Sequence, residues 1–332
     1  MAVGFRSFLR AAPGQELLGT VIEHLGRWLA SKEIHLDADR PGQYVLDHDD
    51  LVTILRDRRG DGQLYQWRRQ HPDAQPRDVW RTTISVFERP DEPGWIWTEI
   101  ETRDDCSALG EAPYNRCMSV PSVLRALLGK LTVVDGRTEM APTPQWVTGG
   151  HLPDLMDFLA DETRRGPVYM ISQGDQPPEE FERWAREITW HLVGLGTAFL
   201  LDRTVEAGFN EMVGSAHYLP AGTMRTYLPE VDLDNPEDPL RHKILGRTRI
   251  LATDTRRLAR MLGRAERDRA ARMPIPEDAR QLVREYESAP VSWREQQRLL
   301  SELQAENDRL REALGTRPHL HVAPRQQQLT AS

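Results

Sequence analysis

The sequence predicts an α/β protein made of a mixed α+β N-terminal unit, a parallel βαβαβ central unit and a helical C-terminal extension. Three observations support this prediction. Apolar stretches alternate with helical patterns in the centre of the chain, a tryptophan-containing segment before it has a period of two, and leucines near the end have heptad spacing. A period of two is typical of strands, and periods of 3.5 or 3.6 are typical of helices.

The central unit lies between Gly166 and Pro229 and is predicted to alternate strands with helices. The expected order is strand 167–172, helix 178–195, strand 197–201, helix 203–213 and strand 223–228. Adjacent parallel strands need a crossover connection, which a helix supplies, so each strand–helix–strand unit predicts parallel pairing. The first helix is the clearest, because its apolar residues have helical spacing and Gly196 follows as a stop.

The N-terminal unit is predicted to begin with an amphipathic helix over residues 15–30, which has a broad apolar face. A second, short helix is predicted over Asp50–Arg58, because Leu51, Ile54 and Leu55 share one side at helical spacing. The polar stretch 59–76 is interrupted by glycines and prolines and is predicted to be a loop.

A hairpin is predicted next, because the apolar period changes to two from Val79 onward. The turn Arg89–Gly94 returns the chain into a second aromatic and β-branched segment that starts at Trp95. This pattern predicts an antiparallel, tryptophan-rich hairpin. Ser119 and Pro121 are typical of a helix start, and a helix bearing apolar residues is predicted after them.

The stretch Asp135–Gly150 is rich in proline, glycine and threonine and is the predicted domain boundary, with a long loop inside one domain as the alternative. A helix over 153–165 is expected to lead into the first parallel strand. The predicted organisation is an α+β domain at 1–140, a parallel α/β domain at 150–250, a helical extension at 253–314 and a disordered tail at 315–332.

The helical extension is predicted to contain helices over 253–272 and 277–287 and to end in a short zipper-like coiled coil over 291–314. Heptad position a holds Trp293, Leu300, Asn307 and Leu314, and position d holds Gln296, Leu303 and Leu310. An asparagine at position a favours a two-stranded pair in fixed register. The predicted dimerisation residues are therefore Leu300, Leu303, Asn307, Leu310 and Leu314. The alternative is an amphipathic helix folded back onto the body.

Composition limits the compartment and the classes of partner. The 332 residues have a formal charge of -8, so a global attraction to nucleic acid or to an anionic membrane is not expected. Cys106 and Cys117 are the only cysteines, too few for a disulfide framework or a four-cysteine zinc site. The sequence has no signal-peptide pattern and no membrane span, so we expect a cytoplasmic protein with no membrane partner.

Polar residues after the predicted parallel strands are the candidate ligand-binding residues. Gln173 and Asp175 follow the first strand and Asp202 follows the second, where loops and helix N-termini of a parallel sheet converge. Arg225 and Tyr227 share one face of the last strand and can together hold a phosphate or a base. The structural alternatives are a helix cap for Asp202, a polar loop for Gln173 and Asp175, and contact with an acidic neighbour or a partner chain for Arg225.

Motifs of known chemistry are absent from the sequence. It contains no G-x-G-x-x-G after the first strand, no phosphate-binding P-loop, no G-x-S-x-G and no H-E-x-x-H. The acidic run 231–238 has calcium-type ligands without the spacing of an EF-hand loop and is predicted to be solvated. His319 and His321 can hold a stray metal ion, and His191 is predicted to be a packed or surface residue. We predict no cofactor and no metal site.

Arg256, Arg260 and Arg264 recur every fourth residue and form an arginine stripe on the predicted helix 253–272. Such a stripe can follow the phosphates of a nucleic acid. Asp254 and Glu266 interleave with it, and charges three or four residues apart commonly neutralise each other on a solvated face. Nucleic-acid contact is therefore retained as a hypothesis that is not favoured.

The combination of a tryptophan-rich hairpin, an α/β unit that ends in Arg225-Thr-Tyr-Leu-Pro229 and a C-terminal helix with Leu303-Gln-Ala-Glu-Asn-Asp-Arg-Leu310 resembles actinobacterial α/β proteins with a C-terminal coiled-coil helix. Some of those proteins resemble accessory proteins of mobile or conflict-type operons. The resemblance implies no role for any single residue.

Three functions follow as hypotheses. The leading one is a non-enzymatic cytosolic interaction or accessory protein that binds itself or another protein through residues 291–314. The second is an enzyme or small-ligand sensor with a site at the C-terminal ends of the parallel strands. The third is a nucleic-acid-associated regulator, of a defence or mobile-element system, that uses the arginine stripe.

Overall fold

Two β-sheets and the helices packed on them make up the described part of the chain. The computed structural model describes residues 2–47, 50–72, 79–103, 120–287 and 305–309. Of the predicted dimerisation residues, only Asn307 falls in these ranges. Leu300, Leu303, Leu310 and Leu314, the predicted tail 315–332, Cys106 and Cys117 lie outside the described residues.

Eight strands of the described chain form the first sheet, and its strand pairs are antiparallel. The strands are β1 (Ala2–Ala11), β2 (Gly42–Asp47), β3 (Asp50–Arg59), β4 (Gly62–Pro72), β5 (Val79–Glu88), β6 (Trp95–Arg103), β7 (Val133–Asp135) and β8 (Thr138–Glu139). They lie side by side in the order β2-β3-β4-β5-β6-β1-β7-β8. Phe87 lies opposite Trp95 in the β5–β6 pair, which confirms the predicted hairpin.

The inner face of the first sheet packs against two helices, α1 (Leu17–Ala30) and α2 (Ser122–Leu128). Side chains alternate between the two faces of a strand, so Tyr65 and Trp67 of β4 enter the same core as Phe5 of β1. Trp67 meets Trp28 of α1 edge-on, with ring centroids 5.5 Å apart. The outer face of the sheet packs against a helix near the C-terminal end of the described chain.

Two predictions for this part of the chain are wrong. The predicted helix over Asp50–Arg58 is strand β3, and the predicted loop over 59–76 contains strand β4. Val52 and Ile54 are buried at alternate positions of β3, and so short an apolar run fits the periods of both a helix and a strand. Most residues of β4 are polar, so the alternation of buried and exposed side chains along this strand could not be recognised in the sequence.

Five strands form the second sheet, in the order β13-β12-β10-β11-β9. They are β9 (Gln145–Trp146), β10 (Val168–Ser172), β11 (Thr197–Leu201), β12 (Met224–Tyr227) and β13 (Ile244–Leu245). The helices of this part are α3 (Leu152–Ala160), α4 (Pro178–Thr189), α5 (Arg203–Val213) and α6 (Arg247–Ala252). The chain passes from the first sheet to the second between Glu139 and Gln145.

The predicted parallel βαβαβ unit is wrong in its second half. β10 and β11 are parallel across α4, but β12 pairs with the other edge of β10 in the antiparallel direction. A helix between two strands permits parallel pairing without requiring it. Here the segment 214–223 after α5 reverses the chain, and Asn210 fixes its path through two hydrogen bonds to Leu219, of 2.9 and 2.7 Å.

The helix α7 (Thr255–Arg272) contacts both sheets. Tyr169 of β10 donates a 2.8 Å hydrogen bond to Glu266, and Arg6 of β1 donates to the carbonyls of Ala271 and Met273 at 3.0 and 3.1 Å. The sequence predicts an apolar side made of Leu258, Met261, Leu262 and Ala265 for this helix, and that prediction needs correction. Leu258 is buried, but Met261 is 40% exposed, and the buried positions continue instead through Ala259, Gly263, Glu266 and Ala270.

The helix α8 (Glu277–Glu287) covers part of the outer face of the first sheet, where Ala279 and Val283 pack with Leu64, Phe87 and Trp95. The prediction of a helix at this position is confirmed. None of the helices in the described part of the chain combines the length and the apolar composition that a transmembrane segment requires.

Arg164 is the buried group that holds the second sheet to the segments around it. Only 2% of Arg164 is exposed, and its guanidinium donates to the carbonyls of Leu159, Gly166, Tyr227 and Leu228 over 2.7–3.3 Å. Burial lowers its pKa to about 10, so the side chain keeps its charge at neutral pH. Neither methionine nor lysine can replace this fork of donors.

We expect Arg164→Met to lower the free energy of unfolding by about 3 kcal/mol or more, because four backbone carbonyls lose the hydrogen bonds that the guanidinium donates. Urea denaturation followed by circular dichroism measures the change. Arg183→Met is the matched control, since Arg183 is exposed on α4. Equal stabilities of the two variants would contradict this role of Arg164.

A second expectation concerns Glu266. Burial raises the pKa of its carboxyl above the ordinary value of 4.5, and Arg269 and Tyr169 oppose this shift only in part. As the pH rises above 4.5, the Glu266 carboxyl of the folded state therefore stays protonated after that of the unfolded state has lost its proton. The contribution of Glu266 to stability is present below pH 4.5 and decreases as the pH rises through the pKa of the folded state.

We expect Glu266→Gln to remove this decrease, because glutamine does not titrate. The stability of the variant relative to the natural chain should rise as the pH increases above 4.5, as measured by urea denaturation at a series of pH values. Glu211→Gln, an exposed change on α5, should leave the pH profile as it is. Parallel profiles for the natural chain and Glu266→Gln would contradict the assignment.

Candidate functional sites

The C-terminal ends of β10 and β11 bring together only part of the predicted ligand site. Gly174 has a φ of 61°, and a Cβ there would lie 2.9 Å from the Cα of Gly222, so the loops approach closely. The Asp175 carboxylate forms ion pairs with Arg203 and, at 3.3 Å, with Arg247. These three side chains are exposed and form a small charged cluster at this edge of the sheet.

The other candidates at this edge have local partners. Asp202 caps α5, and its Oδ1 accepts from the amides of Thr204 and Val205 at 2.8 Å each, which is the structural one of the two roles that the sequence allowed. The Gln173 amide donates to the carbonyl of Gln176 at 2.6 Å. The hydrogen bonds of Gln173 and Asp202 thus go to nearby backbone groups and not to the Asp175 carboxylate.

Arg225 and Tyr227 share one face of β12, as expected, and the guanidinium carbon lies 5.3 Å from the tyrosine ring centroid. Both are buried. Arg225 donates to the carbonyls of Tyr218 and Ala216 at 2.7 and 3.2 Å, and the Tyr227 hydroxyl donates to the carbonyl of His217 at 2.5 Å. Rather than lining an open site, the two side chains hold the loop that carries His217.

A buried cluster of three potential metal ligands lies beside this loop. His217, Asp238 and His242 each offer one ligand atom, and these atoms lie within 4.8 Å of one another. His217 is 0% exposed, His242 2% and Asp238 6%. They come from the 215–219 turn and from the two ends of a short 3₁₀ turn at 238–241.

Asp238 is the centre of the cluster. Its Oδ2 lies 2.7 Å from His242 Nε2 and 3.7 Å from His217 Nε2, and it accepts from the amide of Asp232 at 3.1 Å. Its Oδ1 accepts from Arg241. Burial raises the pKa of Asp238, but the hydrogen bonds from Arg241 and His242 outweigh burial and lower it overall. The carboxylate is therefore ionised at neutral pH.

The two histidines differ in their hydrogen bonding. His242 Nδ1 accepts from the amide of Leu228 at 3.1 Å, so Nε2 carries the proton and donates it to Asp238. Burial lowers the pKa of His242 to about 4, so the ring is neutral at pH 7. Burial also lowers the pKa of His217, and the nearby backbone of Asp232 opposes this shift. Neither ring nitrogen of His217 has a hydrogen bond of normal distance and angle.

Sequence reasoning missed this cluster. The acidic run 231–238 is predicted to be solvated, but its last residue, Asp238, is buried. The one sequence feature that favours a joint role is the spacing of Asp238 and His242, four residues apart. His217 is far away along the chain and joins them only because β12 and the segment 214–223 fold back.

A separate cavity lies between α8 and the outer face of the first sheet. Its volume is about 330 Å³, which is within the range of small-molecule sites. Arginines from three strands and from α8 line it, together with hydroxyl, amide, carboxylate and aromatic groups; they include Arg6, Arg68, Arg81, Arg280, Arg284, Ser85, Trp97, Glu99 and Glu101. Gln66 also lines it.

Charge and hydrogen bonding in this cavity favour an anionic ligand. Its arginines outnumber the two glutamates on the sheet, of which Glu99 is held by Arg6 and Glu101 lies 3.5 Å from Arg81. On α8, Arg280 and Arg284 also pair with Glu277, so the positive excess is partly offset. Gln66 is 2% exposed, and its Oε1 has no hydrogen-bond partner. A ligand with an anionic group and a hydrogen-bond donor would therefore match the lining.

The predicted arginine stripe lies on the exposed side of α7. Arg256, Arg260 and Arg264 are all exposed, and the Arg256 guanidinium lies 3.5 Å from a carboxylate oxygen of Glu187 on α4. One member of the stripe thus already has an acidic neighbour. Nucleic-acid contact stays a prediction.

Comparisons with protein-family models, with curated proteins and with solved structures give no match to this chain.

Proposed function

We propose that the protein is a non-enzymatic interaction protein that binds itself or another protein through the helix of residues 291–314. The observation that carries this proposal is the heptad register, with Asn307 at position a. Residues 305–309 are helical and all five are exposed, which supports a helix available for pairing.

The described residues 305–309 lie beside edge strand β2. Residues 305, 306, 308 and 309 line a cleft of about 690 Å³ together with residues 35, 36 and 40–46, which include most of edge strand β2. An edge strand presents unpaired backbone groups, and Val45 on β2 is 72% exposed. A helix that folds back would occupy this cleft within one chain, whereas a zipper would pair with a second helix.

Size-exclusion chromatography with light scattering distinguishes the two arrangements. We expect the full chain to be a dimer at micromolar concentration and a truncation ending at Pro290 to be a monomer, because the heptad residues provide the paired surface. Leu303→Glu with Leu310→Glu should have the same effect as truncation. Leu240→Glu, at a side chain that is 85% exposed, is the control.

Monomers for both the full chain and the truncation would contradict self-association. Pull-down with the isolated 291–314 helix would then test binding to another protein, and no partner in that experiment would contradict the whole proposal.

A second candidate function is the binding of a small anionic ligand in the cavity beneath α8. The observation that favours it is the excess of arginine over glutamate around a ligand-sized volume, with the buried Gln66 Oε1 left without a donor. This site differs from the one predicted at the ends of the parallel strands. The enzyme hypothesis for that edge stays a prediction, supported by the Asp175 cluster alone.

We expect inorganic pyrophosphate, used as a probe, to bind with an affinity that decreases as salt is added, because arginine contacts to an exposed anion are screened. Arg81→Gln with Arg284→Gln should weaken binding at least about tenfold in isothermal titration calorimetry. Arg260→Gln with Arg264→Gln, the same charge change on α7, should leave it unchanged. Equal losses in both double variants would indicate only a general charge effect.

A further inference from the structure

We propose that His217, Asp238 and His242 bind one divalent transition-metal ion of the zinc type, which fixes the 229–242 loop to β12. The ligands are two imidazole nitrogens and one carboxylate oxygen. This set suits zinc, cobalt or nickel, whereas magnesium and calcium prefer oxygen ligands only. The inference is independent of the proposed interaction function.

The distances in the cluster are those of a site that a small ion can close. Tetrahedral ligands about 2.0–2.1 Å from a zinc ion lie about 3.3 Å from each other. The two separations from Asp238 Oδ2 are 2.7 and 3.7 Å, so they bracket this value. Small side-chain movements are sufficient to place all three atoms around one ion.

His217 provides the second, independent observation. The ring is completely buried, and neither of its nitrogens has a hydrogen bond of normal distance and angle; the nearest backbone group that acts on it belongs to Asp232. Buried polar groups almost always form hydrogen bonds, so a buried imidazole without a well-formed hydrogen bond indicates a missing partner such as a metal ion. Its Nε2 already faces the ionised Asp238 carboxylate at 3.7 Å, where a cation would satisfy both groups.

The loop that carries His217 is held in place before any ion binds. Tyr227 donates to the His217 carbonyl, and Arg225 donates to the carbonyls of Ala216 and Tyr218 on either side. Such support around a ligand reduces the cost of ordering it when the ion binds. These contacts give Arg225 and Tyr227 a positioning role.

The main unfavourable change on binding is the loss of hydrogen bonds at His242. In the metal-free protein its Nε2 carries a proton, and its Nδ1 accepts from the Leu228 amide. When an ion binds Nε2, the single proton of the neutral ring moves from Nε2 to Nδ1, with no net release to solvent. Nδ1 then faces the Leu228 amide as a second donor, so that hydrogen bond is lost. The loss of one neutral hydrogen bond is small compared with the binding free energy of a structural zinc ion.

The test measures metal binding by the full chain, purified without a metal-affinity tag. We expect about one zinc per chain by elemental analysis, and after removal with a chelator, a rise in melting temperature when zinc is returned. Cobalt(II) should give visible absorption bands typical of a tetrahedral site with nitrogen and oxygen ligands.

His217→Gln is the decisive variant, because His217 forms no hydrogen bond of normal distance and angle that the substitution would remove. We expect its metal-free melting temperature to stay close to that of the natural chain, while zinc affinity decreases at least about 100-fold. Asp238→Asn should also abolish the zinc-induced rise, with circular dichroism as the check on folding.

Two control variants distinguish this cluster from other histidines. His151→Gln, an exposed change, and His319→Gln with His321→Gln, near the C-terminal end, should all keep the zinc-induced rise in melting temperature. The proposal is overturned by a full chain that binds neither zinc nor cobalt, by His217→Gln with unchanged zinc affinity, or by loss of binding in the His319 and His321 variant.

Discussion

Buried arginine side chains are the constraint on which the second sheet depends. A short sheet joined by irregular segments leaves many backbone carbonyls without a ladder partner, and buried carbonyls need donors. Arg164 supplies four such bonds, two of them to Tyr227 and Leu228 at the end of β12. Arg225 supplies bonds to the 216–218 turn from the same strand. A guanidinium has five N–H donors, which explains why arginine, rather than lysine, occupies both positions.

The same constraint positions the histidine cluster. β12 is fixed from one side by Arg164 and holds the His217 loop on the other through Arg225 and Tyr227. The amide of Leu228, next to the carbonyl that Arg164 binds, donates to His242. Both histidines of the cluster are thus tied to one short strand and the residue that follows it, and Asp238 is joined to them through His242. The unpartnered nitrogens of His217 are therefore a feature of an ordered site, in which rotation of the loop cannot easily supply a partner.

The features of this fold that could be predicted from the sequence are those that local pattern determines. The β5–β6 hairpin has strict alternation around a proline-glycine turn, and α4 has clear helical spacing with prolines at its start. Asp202 could be anticipated as a helix cap, because an aspartate directly before a helical pattern has that local role in many proteins. In each of these cases neighbouring residues alone decide the structure.

The features that could not be predicted depend on contacts between distant residues. Leu51, Ile54 and Leu55 fit a helix as well as a strand, and only pairing with β2 and β4 decides for β3. The direction of β12 depends on how the 214–223 segment folds against Asn210, Arg225 and Tyr227. The histidine cluster then depends on that direction, so an error in one strand conceals the site.

The position of α8 connects the two proposed binding functions. Arg280, Val283 and Arg284 form one wall of the arginine-lined cavity, and the heptad segment begins a few residues beyond the end of the helix. α8 itself packs on the sheet through few apolar residues, chiefly Ala279 and Val283. An anion in the cavity would add contacts to α8 and so favour its docked position. If the predicted pairing of residues 291–314 depends on that position, ligand binding and self-association must affect each other by the same free energy.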